Sequence, residues 1–345
     1  MRHLMFFLWI LTVIAPGYGE KIAEFPQVMK PKKILLDGNR LVIGLDQEYT
    51  VQVYSNPGFE LQARFGKRGE GPGEVRRTPL VFARTDSYLL FSRGKLLWFS
   101  KEGELQKEMK ISREYLYVKP VAKYYVAARD FFDPEDFSHT MKFYLLDSKT
   151  SIVKEIYQGD RDVNTARGMV FEEFRMVTHF LGVETHGDRI FIGDSRKGFH
   201  IDVLNARGDH LYAIHPDVKR VRVSKDFRQK ITDEFRSHES ELWPLIRNVM
   251  TFYEYFPAIR NFTIADGRIY VTTHHSQDDR QELITLDLKG NILNRRLIPF
   301  QSWRIRKFYG NPVDLFAIRD GKLYELVDND QTEVFELHVT GLEEF

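Results

Sequence analysis

The stretch Asp37–Gly66, DGNRLVIGLDQEYTVQVYSNPGFELQARFG, decides the fold. It opens on an Asp-Gly-Asn turn and then places Leu41, Ile43 and Leu45 at every second position. A short gap leads to a second alternating run through Val51 and Val53, and the turn at Asn56–Gly58 leads to a third run ending at Phe65. Apolar residues at period two, bounded by Gly, Asn and Asp, mark β-strands. Ile34–Leu36 adds one more apolar stretch ahead of the first turn, so the unit holds four strands.

The same order recurs along the chain. RTDSYLLFSRGKLLWFSKEGELQKEMK starts at Arg84, and HGDRIFIGDSRKGFHIDVLNARGDHLYAIH at His186. ADGRIYVTTHHSQDDRQELITLDLKGNILNRRLI starts at Ala265, and RDGKLYELVDNDQTEVFELHVTGLEE at Arg319. A degenerate copy spans Tyr115–Gly159. Leu80–Ala83, Phe262–Ile264 and Leu315–Ile318 supply the extra leading strand of three of these units. Repeats of about 40 residues with four antiparallel strands are β-propeller blades. The expected fold is all-β, a six-bladed propeller with blades near 33–66, 79–112, 115–159, 174–216, 259–298 and 313–345. The sixth unit ends after its third strand, and the segment 21–28 is a spare strand that supplies the fourth and closes the ring. A five-bladed ring with a separate hairpin is the rival arrangement.

Between the first two units lies GKRGEGPGEV, Gly66–Val75. Gly66, Gly69, Gly71 and Gly73 surround Pro72, and Glu74 follows. A phosphate-binding loop requires a strand before it, a Lys-Ser/Thr within it and a helix after it. This stretch has no such Lys-Ser/Thr and leads into another strand, which favours a stiffened connector between blades over a ligand loop. With the preceding YSNPG, the sequence FGKRGEGPGE resembles the six-bladed β-propeller family of exported bacterial proteins, which are similar in turn to NHL-repeat propellers. The resemblance implies the fold and, for most such proteins, a binding role. Related propellers include calcium-dependent lactonases and a peptide-amidating lyase, but no motif of either can be placed on residues of this chain.

Residues 1–19, MRHLMFFLWILTVIAPGYG, read as a secretory signal peptide: a positive Arg2, an apolar run at Leu4–Ala15, a break at Pro16 and small residues thereafter. An uncleaved anchor is the alternative. The rest, 20–345, reads as a single propeller domain with no integral membrane segment. The chain has 345 residues and no cysteine, so an exported form is held by its core alone, which suits a periplasmic or extracellular setting. With 50 basic and 49 acidic residues and no basic run, nucleic acid is a poor partner; protein, peptide or glycan remain.

In a four-stranded meander, turns alternate between two faces. The long segments Lys67–Thr78, Asp130–His139, Asp160–Glu173, Pro216–Pro257 and Phe300–Pro312 all fall on one face, while turns on the other are short. Loop variation on a fixed scaffold is how binding faces are built. The longest, 217–257, reads as a helical insertion: Ser224 caps a helix with Phe227, Ile231 and Phe235 on one stripe. Expected ligand contacts on this face are Arg161, Arg167, Tyr253, Tyr255, His274, Trp303, Arg304 and Arg306, with the arginines suited to a carboxylate or sugar acid. His274 and His275 are adjacent on a strand and so point to opposite faces. No metal-ligand motif, nucleophile elbow or cofactor motif is evident. Two functions stand against each other: an exported binding module, and a metal-dependent hydrolase or lyase using the axial channel. A structural subunit of an envelope assembly is a third.

Overall fold

The computed structural model describes residues 19–164, 166–167, 170–171, 173–237, 243–277, 280–300, 315–329 and 331–342. The expected signal peptide therefore lies outside the described residues, apart from Gly19. Six four-stranded antiparallel sheets make up the ring. Blade one is Pro31–Asp37, Arg40–Leu45, Val51–Ser55 and Leu61–Phe65; blade two is Leu80–Ala83, Ser87–Ser92, Lys95–Ser100 and Leu105–Lys110. Blade three is Tyr115–Val121, Tyr124–Phe132, His139–Leu146 and Ile152–Asp160; blade four is Leu181–His186, Arg189–Asp194, Ile201–Asn205 and His210–Ile214. Blade five is Asn261–Ala265, Arg268–Gln277, Arg280–Asp287 and Ile292–Pro299. Blade six is Phe316–Arg319, Lys322–Asn329 and Val334–Gly341, completed by Glu20–Phe25 from the other end of the chain. That last pairing runs from Glu20 opposite Val339 to Phe25 opposite Phe335. It leaves no unpaired outer edge on blade six's third strand.

The core is six apolar seams, one between each pair of neighbouring blades. In blade one, Val42, Val51 and Val53 meet Val81, Tyr88 and Leu97 of blade two. From the opposite side of the same sheet, Leu41, Ile43 and Tyr54 meet Phe25, Leu326 and Leu337 of blade six. Central strands are thus buried on both faces, which is why SYLLFS and RLVIGL are almost continuously apolar. Equivalent seams join blades two and three, three and four, four and five, and five and six.

The short-turn face repeats one device. The residue ending strand three accepts amide hydrogens of the turn on its side chain. Ser100 takes Glu102 and Glu104, and Asp147 takes Lys149 and Ser151. Asn205 takes Arg207 and Asp209, and Asp287 takes Lys289 and Asn291. These are the local bonds for which Ser, Asn and Asp are favoured in turns. Gly290, at φ +94°, lies against the preceding blade, where a Cβ would come within 2.6 Å of Ile214.

On the opposite face the insertion forms a small cap. Its neck pairs Val223 N with Glu254 O at 2.9 Å and Phe256 N with Val221 O at 2.8 Å. The helix Lys225–Ser237 starts with Phe227 N donating to Ser224 Oγ at 3.0 Å, and it buries Ile231 and Phe235. A short turn of helix at Trp243–Ile246 adds Ile246. Blade four is expected near 174–216; its first strand is Leu181–His186, and Phe174–Arg175 pairs in parallel with Met250–Thr251. Phe174 and Met176 then complete the cap's core with Ile231, Phe235 and Ile246. The pull of that second core explains the departure, since Phe174 is fully buried there.

Candidate functional site on the loop-rich face

The hairpin tip of blade three and the turn of blade four enclose an open groove of about 870 Å³. One wall is Phe131–Glu135 and the other Asp194–Lys197; Thr140, Lys142, Gln158 and Gly159 form the floor. The tip projects because blade three has long middle strands, paired from Tyr125–Leu146 out to Phe132–His139. Asp133 and Asp136 fold it by accepting from the amides of Glu135 and Ser138. Phe132 is 49% exposed there and lies edge-on to Phe137. Behind it, His139 Nδ1 is 3.1 Å from Asp130 Oδ2, and Arg161 Nη1 is 3.5 Å from the same oxygen. His139 Nε2 and Asp130 Oδ1 are closed from solvent without a hydrogen-bond partner. On the far wall, Asp194 caps the Ser195–Lys197 turn and accepts from Tyr157 OH at 2.8 Å. Burial, then the Asp194 carboxylate, push the Tyr157 hydroxyl strongly up, so it stays a donor.

Beside the groove, a polar latch centres on Asp162, whose side chain is 3% exposed. It accepts from His179 N and His179 Nδ1, each at 2.8 Å, and from Tyr253 OH at 3.0 Å. Arg196 and Arg175 complete its surroundings. Burial alone would raise the carboxyl; the His179 bonds, the Arg196 charge and the Tyr253 bond outweigh it and hold it far below the carboxylate range. Burial and then the Asp162 charge push Tyr253 up to about 12. Arg175 lies over the Tyr253 ring at 4.6 Å and pairs with Glu173 at 2.7 Å. The latch joins the blade three–four connector, the cap and the blade-four turn.

The expected contacts do not converge on one point. Arg161 is at the groove through Asp130, and Tyr253 is in the latch. Tyr255 lies in the neck under Arg220, and His274 stacks on Phe256 at 4.7 Å. Arg167 is on a short hairpin with Val170. Trp303, Arg304 and Arg306 lie outside the described residues. The strand carrying His274 and His275 shifts register between Thr272 and Ser276, and His275 Nδ1 is 3.5 Å from Glu282. Asp162, Arg175, His179 and Arg196 escaped the sequence reading, because no motif links residues as far apart as Asp162 and Tyr253.

The Gly66–Val75 stretch is held by its own Glu74 and by side chains of blade two. Glu74 accepts from Gly71 N at 2.8 Å and pairs with Lys67, while Glu108 of blade two accepts from Gly73 N. Lys95 donates to the carbonyls of Glu70 and Gly71. A Cβ on Gly69 would fall on the Glu74 carboxylate. At the axis, Lys119 and Glu184 pair at 2.6 Å between the inner strands of blades three and four. Among the described residues no three His, Asp or Glu side chains are grouped to hold a metal, and no helix is long and apolar enough to cross a membrane.

No protein-family model matches the chain, and neither does any curated protein. Solved structures similar to it include a Bacteroides fragilis protein described as exported, at 14% identity and TM-score 0.48, covering 91% of this chain and 90% of that one. BamB from Moraxella catarrhalis is similar at 11% identity and TM-score 0.34, over 88% and 70%. The Cps50 (Swd1) β-propeller domain of Myceliophteria thermophila is similar at 10% and 0.45, over 94% and 100%.

Proposed function

We propose that the chain is an exported, non-enzymatic binding propeller that holds a peptide, protein or glycan on its loop-rich face, with the groove between blades three and four as the seat. The groove is the observation that carries this reading. Its size is in the range of small-ligand clefts, and an exposed aromatic sits among convergent polar groups there. Phe132 offers an apolar platform, Gln158, Thr140 and Ser138 offer hydrogen bonds, and Lys142 and Lys197 offer positive charge. Arg161 acts from behind by holding Asp130. Export rests on the 1–19 pattern and the absence of cysteine, and the resemblance to NHL-like exported propellers on GKRGEGPGEV.

Peptide and glycan arrays probed with the purified chain 20–345 test the reading. Binding found there should fall at least tenfold in Phe132→Ala and in Lys142→Ala. Lys289→Ala, on the short-turn face, should leave it unchanged. Contacts that map to the short turns would reject the seat. N-terminal sequencing of protein from its native envelope should begin near Glu20.

A further inference from the structure

Beside the groove, blade four gathers His200, Asp202 and His215. His200 ends the loop between its second and third strands, and His215 follows its fourth strand, so both lie on the loop-rich face. Their Nδ1 atoms are 3.1 Å apart, and their ring centres are 4.4 Å apart at 57°. We propose that His200 and His215 form a two-histidine site for a transition-metal ion of the zinc, nickel or copper class.

Three features support the site. The first is angle. A straight N–H···N bond would set the ring centres roughly 5.4 Å apart, the nitrogen separation plus a ring radius at each end. The observed 4.4 Å means that at least one ring is tilted off that line, with the two Nδ1 atoms still 3.1 Å apart. With metal–nitrogen bonds of about 2.0–2.1 Å, two nitrogens so spaced subtend roughly 98° at a common ion, close to a tetrahedral angle.

The second is the partner on the other side of the ring. His200 Nε2 lies 2.7 Å from Asp202 Oδ2. Donation to that carboxylate fixes the tautomer and orients the ring, leaving a lone pair on Nδ1, as carboxylates do behind metal-bound histidines. Asp202 is itself held by His210 Nε2 at 3.2 Å and Lys197 Nζ at 3.7 Å. The third is access. His200 is 9% exposed and fixed, whereas His215 is open to solvent, so water can fill the remaining positions of an ion held by two protein ligands. Imidazole donors suit zinc, nickel and copper; calcium and magnesium prefer oxygen.

The test is titration of Zn²⁺, then Ni²⁺, into tag-free chain 20–345 by calorimetry, with histidine side-chain NMR as a second readout. One equivalent should bind, shifting the imidazole signals of His200 and His215. His215→Ala, at an exposed position, should weaken binding at least tenfold without changing the metal-free melting curve. Asp202→Asn should weaken it about 10–100-fold, and His186→Ala should leave it unchanged. No binding at millimolar Zn²⁺, or binding that His215→Ala leaves intact, would overturn the site.

Discussion

The two faces of the ring differ in their bonding: the short-turn face repeats one local device, and the loop-rich face adds a latch of distant partners to its own local turns. On the short-turn face, Ser100, Asp147, Asn205 and Asp287 each close their own turn within four residues. On the loop-rich face, Asp162 draws on His179, Arg196 and Tyr253, partners 17, 34 and 91 residues away. A face held by local bonds can repeat blade after blade. A face held by distant bonds differs at every blade, and this freedom makes it available for a ligand. The groove, the cap and the histidine pair all occur on that second face.

The ring must hold for either face to exist, so the largest effect expected is from its closure. Deleting Glu20–Phe25 removes a full ladder against Val334–Gly341 and takes Phe25 out of the seam it shares with Tyr54. Phe25 alone is worth about 3–5 kcal/mol by comparison with large-to-small core changes, and each ladder bond about 0.5–1.5 kcal/mol. The melting temperature should drop by roughly 10 °C or more, and the bared edge should promote self-association. Unchanged melting and a monomeric elution profile would show that the faces do not depend on the closing strand.

Next comes the latch. Asp162→Ala leaves two arginines and a histidine without their shared carboxylate, at a cost on the order of 3 kcal/mol. The loss should be local. Hydrogen exchange in Lys225–Ser237 should speed up while the blade strands keep their protection. Acid gives a second reading. The folded carboxyl is depressed, so its contribution is complete above the unfolded value near pH 4 and shrinks as pH falls from there toward the folded value. Cap protection should therefore decline below about pH 4 in the parent protein and show no such component in Asp162→Ala. Equal exchange in both proteins would remove the latch from the account.

Gly290→Ala carries the comparison to the other face. The substitution forces a side chain into a left-handed backbone and toward Ile214, which is 2% exposed. A cost of about 1–3 kcal/mol is expected, read by thermal melting, with ligand and metal binding unaltered. A loss of binding here would mean that the faces are coupled.

These contrasts also account for what the sequence revealed. The strands of Asp37–Gly66, the Asp-Gly turns and the Ser224 cap are local signals, and each is met in the fold. Double burial hides the alternation in Ser87–Ser92 without hiding the strand. Blade four is expected near 174–216, but Phe174–Arg175 pairs with Met250–Thr251, a partner too distant in the chain to be inferred. Tyr253 and Arg161 were legible as residue types suited to a binding face. Their assignment to a latch and to the back of a groove depends on Asp162 and Asp130, whose surroundings come from three separate elements.

The smallest effect is expected at a turn that has other support: Lys101, beside Ser100, is also bonded by Arg40 and Asp37 of blade one. Ser100 Oγ accepts from Glu102 N and Glu104 N, both at 3.2 Å, in a turn open to water. In Ser100→Ala, solvent can take up both amides, so the loss should be only about 0.5–1 kcal/mol. Gly103 still supplies the positive φ that shapes the turn. A denaturation midpoint shifted slightly, with unchanged slope, is the expected result, because neither compactness nor the seam beneath is touched. A shift as large as that of Asp162→Ala would mean that one exposed local acceptor carries as much as the buried latch, and the contrast between the two faces would fail at the point where it is most easily measured.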